Sequence, residues 1–367
     1  MTRPPRVPPS RRATRWRRAT LGALAVLVLL AGAGGPEGRP GGPEARPGGT
    51  PPRPSATPAT RSNGPQFAPD SVFTQPIGQR ATDPRSAAMM ASLRRSIATR
   101  YGGVAAFNSS AYSMSLAVAG ADTPRRDVSF DDCQHKGAPS KGLFDGPAHF
   151  RNVPIPEDAK ASEGTDGELG VWSPDTDQLW EFWKAHQRAD GSWQACWGGR
   201  IDHVSANRGA FPLPYGVSAS GLSSTGSAVR VEEARDGRIT HAIGLAIPAP
   251  AHWRTVRPPA TRSDGVNRAS DAMPIGTRLR LDPAVDVDSL GLTAVAAAVA
   301  RAAQIYGFIV VDTAGAVGVV AESGTPVKAR TGQDPWSDLL GGPSYAVMKG
   351  FPWDRVVVVA PDPAGPR

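Results

Sequence analysis

The stretch LGVWSPDTDQLWEFWK, residues 169–184, decides the fold class. Leu169–Trp172 reads as a short apolar strand, and Leu179–Lys184 as its return. Between them, Ser173–Asp177 puts proline and aspartate where a tight turn uses them. A second turn signal, Asp190-Gly191, introduces a third strand, Ser192–Trp197. Three neighbouring strands with short turns predict an antiparallel meander.

Toward the C-terminus the strand signal strengthens. In Ile239–Ile247, residues Ile239, His241, Ile243, Leu245 and Ile247 share one face, and Ala242, Gly244 and Ala246 make the other face small. Such a strand belongs in the interior of a sheet, with a neighbour packed closely above its small side. Val231–Arg235 reads as one helical turn, Leu279–Leu281 as a strand and Thr293–Tyr306 as an alanine-rich helix. Phe308–Val311 and Val317–Ala321 read as a hairpin about the turn Asp312–Gly315, and Arg355–Ala360 as a last strand. Upstream, residues 83–100 predict a helix with Ser86 as cap and Met89, Leu93 and Ile97 on one face, and Ala111–Ala119 alternates like a strand. The expectation is a mainly β domain over residues 67–367: an antiparallel β-sandwich or jelly-roll-like fold with two or three peripheral helices.

The residues before 67 read differently. Seven arginines and no acid precede the apolar run Leu21–Ala33, which ends in Ala31-Gly32-Ala33. The first reading is a cleaved signal peptide over residues 1–33; the second is an uncleaved membrane anchor, a short transmembrane helix with the C-terminal part outside. Residues 34–66 are rich in proline and glycine and nearly free of aliphatic side chains, which predicts a disordered linker. Both readings expect a protein that is secreted or held on the outer face of the cell membrane.

Charge narrows the partners. The chain has 41 basic and 33 acidic residues, but the seven N-terminal arginines account for nearly all of the excess. The folded part is close to neutral, so no nucleic-acid partner is expected, since a duplex binder clusters cations on its folded surface. Contact with a membrane is expected only through the N-terminal segment, if it stays uncleaved.

The two cysteines, Cys133 and Cys196, have no metal-type spacing. In an exported chain they read as one disulfide, with two buried thiols as the alternative.

These segments resemble a family of uncharacterised exported proteins of actinobacterial type. The matching stretches run from Thr165 to the LWEFW ending at Trp183, GSWQACWGGRID from Gly191 and GRITHAIGLAIP from Gly237. They continue through PATRSDG from Pro259, GTRLRLDPAVDVDSL from Gly276 and AAQIYGFIVVDTAGAVGVVAES from Ala302, so that most of residues 150–323 is covered. The resemblance implies a secreted setting and a single domain. It carries over no catalytic residue.

Signatures of the common enzyme classes are absent from the sequence: there is no GxSxG, HExxH, P-loop or EF-hand loop. Gly198-Gly199 reads as a pair of turn glycines. No cofactor and no metal site are expected.

Tryptophan stands out. Six of the nine lie between residues 172 and 253, and an indole offers a flat apolar plate with a polar edge that suits a sugar ring. Trp183, Trp193 and Trp197 are the candidate sugar platforms; packing in the core is the competing account. Glu181, set among Trp180, Phe182 and Trp183, is the candidate general acid, because apolar surroundings raise a carboxyl pKa. Asp202 or Asp264 would be its partner, and His241 is a further catalytic candidate. Asp166 and Glu168 read as turn residues first and site residues second. The expected function is binding or cleavage of an extracellular polysaccharide through the tryptophan-rich sheet face. The alternative is a non-catalytic envelope protein whose tryptophans are core.

Overall fold

Two open sheets organise the computed structural model, which describes residues 64–137 and 150–361. In chain order their strands are β1 (Ala106–Asn108), β2 (Ser115–Val118), β3 (Leu169–Ser173), β4 (Gln178–Trp183) and β5 (Trp197–Asp202). They continue with β6 (Ile243–Ile247), β7 (Arg278–Leu281), β8 (Phe308–Thr313), β9 (Gly318–Val320) and β10 (Val356–Val358). The helices are α1 (Ser86–Ala98), α2 (Ser224–Ser227), α3 (Val231–Asp236), α4 (Ala294–Ile305) and α5 (Thr325–Thr331). The architecture is mainly β, and among the described residues no sheet closes.

The smaller main sheet has the order β5-β4-β3-β2. The meander is present: β3 pairs antiparallel with β4 along Leu169–Phe182 and Trp172–Leu179. Its third strand differs from the expectation. Trp193–Ala195 leaves to pair with Val128–Phe130 and His186–Gln187 in a separate three-stranded sheet, and β5 takes its place beside β4. Gly198 and Gly199 lie inside β5, opposite Phe182 and Glu181, and are not turn residues. Lack of a side chain is what admits the neighbouring strand, because a Cβ on Gly198 would stand 2.4 Å from the Glu181 carbonyl oxygen.

The larger sheet has the order β1-β9-β6-β8-β7-β10. The strand apolar on both faces, β6, occupies an interior position. It pairs parallel with β8 and antiparallel with β9. The expected β8–β9 hairpin is therefore open, with β6 inserted between its arms. Burying β6 on both edges satisfies its backbone groups and its apolar side chains together. The β1–β9, β6–β8 and β2–β3 pairs are parallel, so the all-antiparallel expectation is corrected to mixed sheets.

The main core lies against the larger sheet. Ile243, Leu245 and Ile247 pack there with Val295, Val299 and Ala302 of α4 and Met89, Leu93 and Ile97 of α1. Ser86 begins α1 and does not cap it; its hydroxyl accepts the Val358 N–H at 2.8 Å, tying the helix to β10. A second core gathers Leu169, Val171, Trp180, Phe182 and Trp193. Because side chains alternate along β4, Trp180 and Phe182 enter that core while Leu179 and Glu181 face the other way.

Helix α2, entirely buried, joins the two sheets. Its N-terminal backbone meets Glu181 of β4, and Ser227 packs over Gly244 of β6, where an added Cβ would lie 2.7 Å from the hydroxyl. Ser227 is thus the close neighbour that the small face of β6 required.

The disulfide is present between Cys133 and Cys196, with Cα atoms 5.7 Å apart. Among the described residues no helix is long and apolar enough to cross a membrane. The segments read as signal or anchor (1–33) and as linker (34–66) fall almost wholly outside the described residues.

Candidate functional site

Glu168 immediately precedes β3, and Asp312 sits near the carboxyl end of β8. Folding brings these two chain-distant ends to one cleft. Two hollows meet there, of about 530 and about 440 Å³. Asp166, Glu168, Asp312 and Thr313 line both and form the ridge between them.

Local structure fixes each ridge residue. The Glu168 backbone exchanges bonds with Ser162, its N–H donating to the hydroxyl at 2.9 Å and its carbonyl accepting the Ser162 N–H at 2.9 Å. The Asp166 carbonyl accepts the Lys184 N–H at 2.7 Å, and its Oδ1 accepts the Trp183 indole N–H at 3.3 Å. Asp312 accepts the N–H of Thr313 at 2.7 Å, and the Thr313 hydroxyl donates to Asp264 Oδ1 at 2.6 Å. Arg262 is anchored beside them by two bonds from Nη2 to the carbonyls of Gly216 and Ser218, both 2.7 Å.

Two of the ridge carboxyls, Glu168 and Asp312, are hard to ionise. Burial lifts Glu168 well above the ordinary glutamate range, and the charges of Asp312, Glu181 and Asp166 push the same way. Burial raises Asp312 to about 7, against the downward pull of the Thr313 N–H, and Asp264 and Asp166 add to the rise. Asp312, facing a solvent-reached cleft, can exchange a proton near neutrality, and burial holds Glu168 beside it toward its protonated form.

The residues singled out from the sequence divide into two sets. Trp183, Trp197 and Asp264 line the smaller hollow with Arg262 and the three ridge acids. Glu181 does not line either hollow. It is fully buried, and its carboxylate accepts the Ser223 hydroxyl at 2.6 Å and the N–H groups of Thr225 and Ser224 at 2.8 and 3.1 Å. Its pKa is raised by burial, as the apolar surroundings implied, and those hydrogen bonds hold the rise in check. Trp193 is core, 3% exposed. Asp202 ends β5 on the surface, paired with Arg200 at 2.9 Å and bonded to Gln178.

His241 lies elsewhere, with Nε2 3.0 Å from Glu233 Oε2 and Nδ1 3.0 Å from the Ala242 carbonyl. Burial would lower its pKa, but the Glu233 carboxylate outweighs burial and the imidazole sits above its usual value. The same contact overcomes the burial of Glu233 and holds that carboxyl below its usual value.

In the sequence Glu168 reads as a turn residue first and a site residue second, and Asp312 as the start of a hairpin turn. The available signal was its place directly after the apolar run Phe308–Val311: polar residues at the carboxyl ends of parallel-paired strands are where sites collect. No protein family, curated protein or solved structure matches this chain.

Proposed function

We propose that this is an exported glycan hydrolase belonging to the actinobacterial-type family it resembles, and that it acts outside the cell on polysaccharide. The observation that carries the reading is the pair Glu168 and Asp312, two carboxyls of raised pKa facing one cleft whose wall includes Trp183 and Trp197. Glycoside hydrolysis needs one carboxyl protonated and another able to take a proton. Glu168, held toward its protonated form by burial, donates its proton to the leaving glycosidic oxygen as the C–O bond breaks. Asp312, ionised in part near neutrality, takes a proton from the water that forms the new C–O bond. The indoles supply the apolar faces against which a sugar ring rests. Export is supported by the arginine-rich start, the apolar run to Ala33 and the Cys133–Cys196 disulfide, a bond of oxidising compartments.

The test is release of reducing ends from extracellular polysaccharides by the purified protein. Activity should rise with pH about a midpoint near 7, as Asp312 ionises, and Glu168→Gln and Asp312→Asn should each abolish it with the near-ultraviolet circular dichroism intact. Equal release by wild type and both variants would reject the assignment. The rival reading, a non-catalytic envelope protein, draws on Trp172, Trp180 and Trp193, which are buried packing residues. It predicts neither release nor sugar binding.

A further inference from the structure

Resting on the glycan reading, we propose that the cleft takes a linear, uncharged glycan chain that crosses the carboxyl ridge, with sugar units in both hollows. The hollows are of similar size, about 530 and about 440 Å³, and share the ridge residues as a common wall. Each falls within the span of about 300–1,000 Å³ that small-ligand sites occupy, so each has room for sugar units. A ligand confined to one side would leave the second hollow without a role.

Each side has its own aromatic surface. Trp183 and Trp197 line one hollow, and Tyr101 and Tyr112 line the other. Both indoles are half-buried and held in place, Trp183 by the Lys184 ammonium over its ring at 4.9 Å and Trp197 by Tyr215, stacked at 6.2 Å. Tyr101 stacks on Tyr345 at 6.3 Å, which steadies it although it is 52% exposed. Sugar rings bound against both pairs place the linkage between them over Glu168 and Asp312, where the proton donor and acceptor stand.

Charge selects the kind of chain. Asp132, Asp166, Glu168, Asp264 and Asp312 line the smaller hollow with the cations Lys136 and Arg262, and Asp166, Glu168 and Asp312 line the larger with Arg100, so acids outnumber cations in both. A uronate, sulfate or phosphate group on the chain would meet Asp166, Asp264 and the ionised fraction of Asp312 at short range, which is repulsive. Hydroxyl-rich uncharged units instead find acceptors for their O–H groups.

Calorimetric titration of the full-length protein tests this with linear oligosaccharides of glucose, xylose or N-acetylglucosamine, one to six units long, and with hexagalacturonate. Affinity for at least one neutral series should climb with length and stay above that for hexagalacturonate. Trp183→Ala and Tyr112→Ala should each weaken the hexamer by about three- to tenfold, the range of a lost aromatic contact. The double variant should show the product of the two losses, because the contacts lie in separate hollows. A monomer or dimer bound as tightly as the hexamer, or a hexamer indifferent to one of the two substitutions, overturns the spanning chain while leaving the hydrolase reading in place. Tightest binding to hexagalacturonate overturns the uncharged class. If no glycan binds and none is cleaved, the inference and the hydrolase reading fall together.

Discussion

The Glu181 carboxylate of β4 accepts the Ser223 hydroxyl at 2.6 Å, and this contact fastens the α2 segment to the meander sheet. One oxygen, Oε1, serves both Ser223 and the Thr225 N–H, while Oε2 serves the Ser224 N–H. A glutamate that looked like a catalytic acid in sequence is thereby the joint between two sheets.

Substitution at that joint should be graded. Glu181→Gln keeps the Oε1 acceptor and loses the bond from Ser224 N–H, a cost of about 1–2 kcal/mol. Glu181→Leu leaves all three donors without a partner and should cost about 3–5 kcal/mol. The midpoint of urea unfolding orders the variants; equal midpoints for Leu and Gln would contradict the joint.

Asp312 should make stability depend on pH. Its folded pKa, about 7, lies above the ordinary aspartate value. A group raised in this way stabilises the fold fully below its unfolded pKa, and that contribution is lost as pH rises toward 7. Asp312→Asn should therefore be more stable than wild type at pH 8, by on the order of 1–3 kcal/mol, and show no such gain at pH 3. Denaturant titrations at the two pH values measure the difference.

The His241–Glu233 pair titrates with the opposite requirements at its two ends. The raised His241 contributes fully below the unfolded histidine value and loses its contribution as pH rises through its folded value. The lowered Glu233 contributes above the unfolded glutamate value and loses it as pH falls. A double-mutant cycle with His241→Gln and Glu233→Gln should give its largest coupling between about pH 5 and 6.5, shrinking at pH 3 and at pH 10. A coupling independent of pH would show that the contact is an uncharged hydrogen bond.

Cys133 and Cys196 close a loop with a sequence separation of 63. Removing that link restores freedom to the unfolded chain, and Cys133→Ser with Cys196→Ser should cost about 4 kcal/mol by chain entropy. Because Cys196 also lines the smaller hollow, glycan affinity in the same variant reports whether the link shapes that wall. Unchanged thermal unfolding would remove the disulfide from the account of stability.

Gly244 has no room for a side chain under α2. A Cβ would stand 2.7 Å from Ser227 Oγ and 3.1 Å from Val320 Cβ. Gly244→Ala should cost about 1–3 kcal/mol through overpacking, and adding Ser227→Gly should recover part of it. Additive losses in the double variant would place the clash elsewhere.

The local elements are legible in the order of residues alone, because their causes are local. Alternation across β6, the turn between β3 and β4, and the apolar stripe of α1 each follow from side chains a few residues apart. That order also places Trp183 and Glu181 on one face, since the period of a strand is two. Strand partnership needed the tertiary structure. The chain between β8 and β9 is short enough for a hairpin, yet β6, distant in sequence, takes the place between them because burial on both edges is worth more to it than adjacency is to them. The same pairing carries Asp312 out of its expected turn and sets it near Glu168. No spacing in the sequence encodes that meeting: Glu168 stands just before β3 and Asp312 in β8 of the other sheet, and only the packing of those sheets about α2 brings them to one cleft.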